Sequence, residues 1–400
     1  MRVLEAIRWS PSVERQFFKN GASALPHPHY KPFDASATLA ELKDVKRTLR
    51  GEHAPEAMLR KSSVLLETTA RMLASVGSRR FSTYAQKLYG RPEDPFPATT
   101  VTPLQYARKI IRTLKLTASS MPEPPPPTLT AGEVARRIRR GVKEHFGRQA
   151  PEVVLDPSMA ARAAAAPKRI RLRKGATFSD LDVHQLLQHE AFVHVATSLN
   201  GRAQKRFSLL AANHAGTTRT QEGLAVFAEL MSGTLDPRRL LRLSHRVEAT
   251  HLALGGANFL EVYRYFLDVS PNEHEAYQST VRIFRGGTLE GGAPFTKDIV
   301  YLDGLCRVYV FLRAAVESGR LDCLGLLFAG KLDLEDIEAL LELEHLGLCR
   351  PAKFVPPWVT DPRRLVAYFS VTEVIKRAST AGLQRHYAEQ LSALPTLGDI

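Results

Sequence analysis

The residues best suited to chemistry lie in one stretch, LDVHQLLQHEAFVHVATSLNG at 181–201, where His189, Glu190 and His194 spell HExxxH. A zinc peptidase needs two neutral imidazoles converging on one ion and a carboxylate placed to take a proton from water. Five-residue spacing works against this on a regular helix, because an ideal α-helix separates such positions by roughly 140°. A π-bulge absorbs one extra residue and brings the two side chains back to one face. A third ligand is sought downstream, since catalytic zinc sites use three protein ligands and one open position. TQEGLAVFAE at 220–229 offers Glu222, on a helix expected to begin just before it, after the polar loop NHAGTTRT. At this level two readings stay open: Glu222 is a ligand, or it complements the positive end of its helix from the first turn. Glu229, two turns further, could orient a ligand histidine or simply be salt-bridged.

The elements that must carry these residues are mostly helical. Apolar residues recur at three and four near 180–198, 221–231, 237–254, 257–268, 272–284, 298–318 and 333–345, and again through 35–90. Thr130 and Glu133 fit a capping box ahead of the basic helix VARRIRRGVKEHFG, which should end near Gly147. Ile170 and Leu172 alternate with Arg169, Arg171 and Arg173 as in a half-exposed strand. The fold class expected is mainly α with a small β-sheet, α+β overall. The Pro-rich stretch MPEPPPPT at 121–128 can be neither helix nor central strand. It divides a basic, mostly helical region, 1–120, from a domain at 129–400.

Composition narrows the field. The chain has 400 residues, 44% hydrophobic and 24% charged, as globular proteins do. Its three cysteines, Cys306, Cys323 and Cys349, are odd in number and sit among apolar residues, which predicts buried free thiols. No apolar run is long enough to cross a bilayer, and the N-terminus lacks a secretory pattern, so the expected location is cytoplasmic, with no membrane partner. The net charge of +14 is uneven: residues 1–180 hold 32 Lys and Arg against 16 Asp and Glu, the remainder 23 against 25. Such a surface attracts an acidic protein segment or a nucleic acid. Nucleic acid is disfavoured, because RNP-type aromatics, zinc-finger spacing and a clear helix-turn-helix are missing. The Gly-rich spots at 255–257 and 285–295 have no phosphate-cradling pattern and read as loops beside a cleft.

HEAFVH at 189–194, TSLNGRAQ at 197–204, TRTQEGLAVFAE at 218–229 and the run from RIFRGG to APFTKDIVYLDG at 282–304 together resemble the QEGLA-motif family. Its bacterial members are described as flavohemoglobin expression-modulating proteins, and its animal relatives are the microtubule-associated tyrosine carboxypeptidases. The resemblance implies a zincin-like metallopeptidase with one zinc held by His189, His194 and Glu222, and Glu190 as catalytic base. It implies the reaction class of a carboxypeptidase acting on a peptide or protein; the tubulin substrate of the animal enzymes is not carried over. In that chemistry the developing oxyanion needs a donor beside the metal, for which Tyr301 and His251 are candidates. A terminal carboxylate needs a cation, best an Arg fork, for which Arg285 is the first candidate and Lys297 and Arg219 the alternatives. The competing reading is a zinc-bearing regulator without catalysis, against which the intact Glu190 counts.

Overall fold

Polar caps start the helices where the sequence predicts them. Thr130 and Glu133 bond reciprocally, as do Ser179 with Asp182 and Asn258 with Glu261. Gly147 ends the basic helix with φ 56°, a conformation glycine adopts without steric cost. The computed structural model of the protein describes residues 3–50, 53–117, 121–122, 126–157, 159, 162–166, 168–377 and 380–392. Of the Pro-rich stretch, residues 123–125 lie outside the described residues.

The first six helices are α1 (Val3–Ala6), α2 (Pro11–Lys19), α3 (Ser36–Thr48), α4 (Ala54–Leu73), α5 (Arg79–Tyr89) and α6 (Pro103–Thr117). A mixed segment follows: β1 (Leu129–Thr130), α7 (Ala131–Phe146), β2 (Glu152–Asp156), β3 (Ala163–Ala166), β4 (Arg169–Arg173) and β5 (Thr177–Phe178). Next come α8 (Asp180–Leu186), a π-helical segment (Leu187–Val195) and α9 (Ala196–Ala203) as one continuous run. The remaining helices are α10 (Ala215–Ser232), α11 (Pro237–Leu254), α12 (Phe259–Leu267), α13 (Glu273–Phe284), α14 (Val300–Glu317), α15 (Cys323–Leu326), α16 (Ile337–His345), α17 (Pro357–Thr360), α18 (Arg363–Arg377) and α19 (Ala381–Ser392). The fold is thus mixed α+β with small sheets. Among the described residues no helix is long and apolar enough to cross a membrane. The three cysteines are free, Cys323 and Cys349 buried and Cys306 half-buried.

β4 lies between β2, parallel to it, and β3, antiparallel to it, while β1 pairs with β5. Ile170 and Leu172 are buried with Val134, Ile138 and Phe146 of α7, so the sheet's apolar face closes one core. The same core takes in Phe192 and Val195 of the π-segment, which seats the helix carrying His189 and His194 against the sheet. The opposite, arginine-bearing face is partly neutralised, with Arg169 on Glu152 and Arg171 on Asp156. β3 is an edge strand and runs beside the π-segment.

α10 is the axis of the molecule. Every residue from Gly223 to Glu229 is buried, the pattern of a helix packed on all sides. One core joins it to α14, α16 and α18 through Phe227, Leu312, Leu340 and Phe369. The N-terminal helices reach the same centre: Met72, Phe81, Tyr89 and Leu104 share a core with Phe295, Ile299 and Val300. A further cluster, Phe17 with Phe259, Tyr263, Tyr277 and Phe284, ties α2 to α12 and α13.

Candidate metal centre

The departure from α geometry that the HExxxH spacing demands is present, and it is longer than a single bulge. The chain is π-helical over Leu187–Val195, a span that includes both histidines. Their rings lie 4.9 Å apart between centroids, nearly perpendicular, with 84° between planes. Buried Ala191, Phe192, Val193 and Val195 fix the segment between the sheet and α10.

Glu222 comes from α10, and its place there corrects the expectation of a first-turn position. The helix begins at Ala215, so Glu222 lies two turns inside it, where the positive end no longer accounts for an acidic residue. Its Oε2 is 3.8 Å from Nε2 of His189 and 3.7 Å from Nε2 of His194. Among the described residues these three form the one group able to hold a metal, with donor atoms all within 4.8 Å of one another. Ligands at about 2.0–2.2 Å from a tetrahedral ion lie roughly 3.3–3.6 Å apart. The two Glu222–imidazole separations lie a few tenths of an ångström outside that range, and the N,N,O donor chemistry suits a small divalent cation.

Electrostatics supports this. Glu229, fully buried, accepts a hydrogen bond from Nδ1 of His189 at 2.6 Å, which directs Nε2 toward Glu222. Glu229 is itself held by Arg239, whose Nη2 is 2.6 Å away, and by Gln185 at 3.0 Å. Burial alone lowers the His189 pKa, but the Glu229 carboxylate outweighs it and the imidazole is held above its ordinary value. Burial dominates at His194, whose pKa is lowered, so that it stays neutral. Burial raises the pKa of Glu222, yet Lys297 and the two imidazoles overcome it and hold the group ionised, well below the usual range.

The other residues singled out in the sequence gather unevenly. Glu190 accepts a hydrogen bond from the Ala165 N–H of β3 at 2.9 Å. Lys297 donates to Glu222 Oε1 at 3.1 Å and to the Tyr301 hydroxyl at 3.2 Å, one turn apart in the same segment. The Tyr301 oxygen also accepts from Arg282 at 3.4 Å. Arg285 stands over the Phe295 ring, and its Nε and Nη2 are buried with no hydrogen-bond partner among the described residues. Burial, then Arg282, brings its pKa down to about 10. Arg219 goes elsewhere, to Asp303 at 2.6 Å and the Tyr89 carbonyl at 3.0 Å. His251 is paired with Glu93.

Sequence reasoning missed several residues of the site. Arg239 and Lys331 lie far from the motifs, and Asp298, which grips Arg282 at 2.5 and 2.9 Å, was inside the recognised APFTKDIVYLDG piece but carried no periodic signal. Lys331 is buried, donates to the His194 carbonyl at 3.2 Å and to Gln221 Oε1 at 2.7 Å, and is brought down to about 8 by desolvation.

Fold and site together define a mixed α+β protein with a buried His/His/Glu centre able to coordinate a metal ion. The profile of the microtubule-associated tyrosine carboxypeptidase family matches residues 15–377, nearly the whole chain. The chain belongs to that family. A comparison with curated proteins finds no match. Family and centre together support a metal-dependent, peptidase-like role.

Proposed function

We propose that the protein is a zinc-dependent metallocarboxypeptidase that removes a C-terminal residue from a peptide or protein, with one zinc per chain. The observation that carries this reading is the convergence of His189 Nε2, His194 Nε2 and Glu222 Oε2 beside Glu190, in a member of a carboxypeptidase family. A zinc ion held there supplies Lewis acidity to a carbonyl and lowers the pKa of water to about 7. Glu190 takes the proton of the attacking water and passes it to the leaving amine; the Ala165 N–H bonded to its carboxylate fixes its direction. Because the Tyr301 oxygen accepts from both Lys297 and Arg282, its own O–H is left to donate, which suits it to the developing oxyanion. Arg285, half-buried with two buried nitrogens that have no partner among the described residues, is the cation assigned to the terminal carboxylate. Lys297 assists from the Glu222 side, and Arg219, committed to Asp303, has the weaker claim.

In this reading the protein works in the cytoplasm, and its basic N-terminal half favours substrates with an acidic segment. All the assigned residues lie within 129–400, which supports treating 1–120 as a helical cover joined through the Pro-rich connection.

The test uses paired peptides with free and amidated C-termini. Wild type should shorten the free peptide by one residue and leave the amidated one intact. E190Q should lose about 10²–10⁴ in kcat while keeping its zinc. A wild type that binds zinc and cleaves neither peptide favours the regulator without catalysis.

A further inference from the structure

The π-segment solves the spacing problem and creates another. Where a π-helix returns to α pairing, the backbone passes from i+5 to i+4 bonds and one carbonyl is left without its N–H. The segment ends at Val195, one residue after the second histidine ligand, where the Ala196 N–H is shared between the Ala191 and Val193 carbonyls. The Val193 carbonyl there accepts from Thr197 Oγ1 at 2.8 Å. The His194 carbonyl accepts from Ser198 Oγ at 2.7 Å, from Thr197 Oγ1 at 3.3 Å and from Lys331 Nζ at 3.2 Å. Serine and threonine bonds of this kind are common in helices. A buried ammonium arriving from 137 residues away is not.

Lys331 does more than satisfy that carbonyl. Its Nζ also donates to Gln221 Oε1 at 2.7 Å, and that oxygen lies 2.8 Å from Thr197 Oγ1, whose one proton serves either it or the backbone carbonyls of the π-segment. Gln221 immediately precedes Glu222 on α10. One buried side chain therefore joins the backbone of the second histidine ligand to the neighbour of the carboxylate ligand. Its own main chain is anchored, because the Lys331 N–H donates to the Leu210 carbonyl at 2.7 Å. A Cβ on Gly330 would lie 2.6 Å from that same carbonyl oxygen, so the loop sits tightly against the Leu210 backbone.

We propose that Lys331 is a positioning residue for the metal centre: it locks the π-segment to α10 and thereby sets the separation of His194 from Glu222. The inference rests on the metal reading above. In this role Lys331 acts through the His194 backbone and Gln221 rather than on substrate or metal.

The experiment compares full-length wild type, K331M, Q221M and the double variant, all stripped of metal. Each is titrated with zinc against a chromophoric chelator and with cobalt(II) in the visible range, and its metal-free melting temperature is measured. Methionine keeps the length of lysine and removes a costly buried ammonium, so metal-free K331M should melt no lower than wild type. Its zinc dissociation constant should rise about 10- to 100-fold, with an altered cobalt spectrum. The double variant should bind zinc no more weakly than K331M, because both changes break one connection. Wild-type zinc affinity and cobalt spectrum in K331M overturn the proposal, as does a lower metal-free melting temperature with metal binding intact, which marks a purely structural lysine. If K331M does not fold, Q221M takes its place: weakened zinc binding with an altered cobalt spectrum supports the proposal, and wild-type binding overturns it. A wild type that binds neither metal removes the metal reading itself, an outcome separate from equal binding by all four proteins.

Discussion

At the scale of single residues, the centre depends on groups that touch no substrate. Glu229 is enclosed between His189 and Arg239 and is ionised because those two outweigh the effect of its burial. E229Q keeps the shape and removes the charge that fixes the His189 tautomer. Its zinc dissociation constant should rise about 10- to 100-fold with the fold intact; chelator competition checks this, and unchanged affinity contradicts it. His189, Glu190, His194 and Glu222 were legible in the sequence because their chemistry is tied to spacing and to recognised motifs. Arg239 and Lys331 were not: half-buried Arg239 meets Glu229 only once α11 folds back beside α10, and Lys331 finds its partners more than a hundred residues away in the chain. Glu229 could be read two ways, and the structure combines them: it orients a histidine and is salt-bridged at once.

At the scale of elements, most helices followed from periodicity and caps, and the errors have physical causes. NHAGTTRT reads as a polar loop, yet α10 begins inside it. Its last threonine finds partners at a distance: Thr220 donates to Asp333 and accepts from the Leu334 N–H. Such satisfaction is invisible to hydropathy. β3, four alanines without strand propensity, is a strand because β4 pairs with it. The glycine of QEGLA likewise gains a reason only in three dimensions. A Cβ on Gly223 would lie 2.3 Å from the carbonyl oxygen of Gly304, and one on Gly304 would lie 2.2 Å from that of Arg219. α10 and α14 therefore cross with their backbones touching, which holds Lys297 and Tyr301 against Glu222. G223A should cost about 1–3 kcal/mol or more, since backbone cannot rotate aside as a side chain can. It should also weaken zinc binding; a variant with wild-type melting and affinity contradicts the crossing described.

At the scale of the whole molecule, the charge asymmetry and the acid response both follow from packing. Cations of the basic half pair with acids of the other half, Arg108 with Glu248 and Arg162 with Asp182 among them, so the excess of residues 1–180 is partly offset in space while the net +14 of the chain stands. Burial brings His214 and His245 each down to about 4. Their ordinary value is about 6.5. Above about pH 6.5 neither state is protonated and the stabilisation is complete; between 6.5 and 4 the unfolded chain takes up protons that the folded chain refuses, so stability falls with pH. The metal-free protein should melt progressively lower over that interval, and H245Q should flatten the decline; an unchanged slope contradicts the assignment. The proposed chemistry requires zinc at this centre, and the most direct measurement is zinc per chain in protein purified without chelators, for wild type, H189A and E222A. A His/His/Glu zinc centre predicts close to one for wild type and close to zero for both variants. Wild type without zinc, or variants that retain it in full, would contradict that centre at its root.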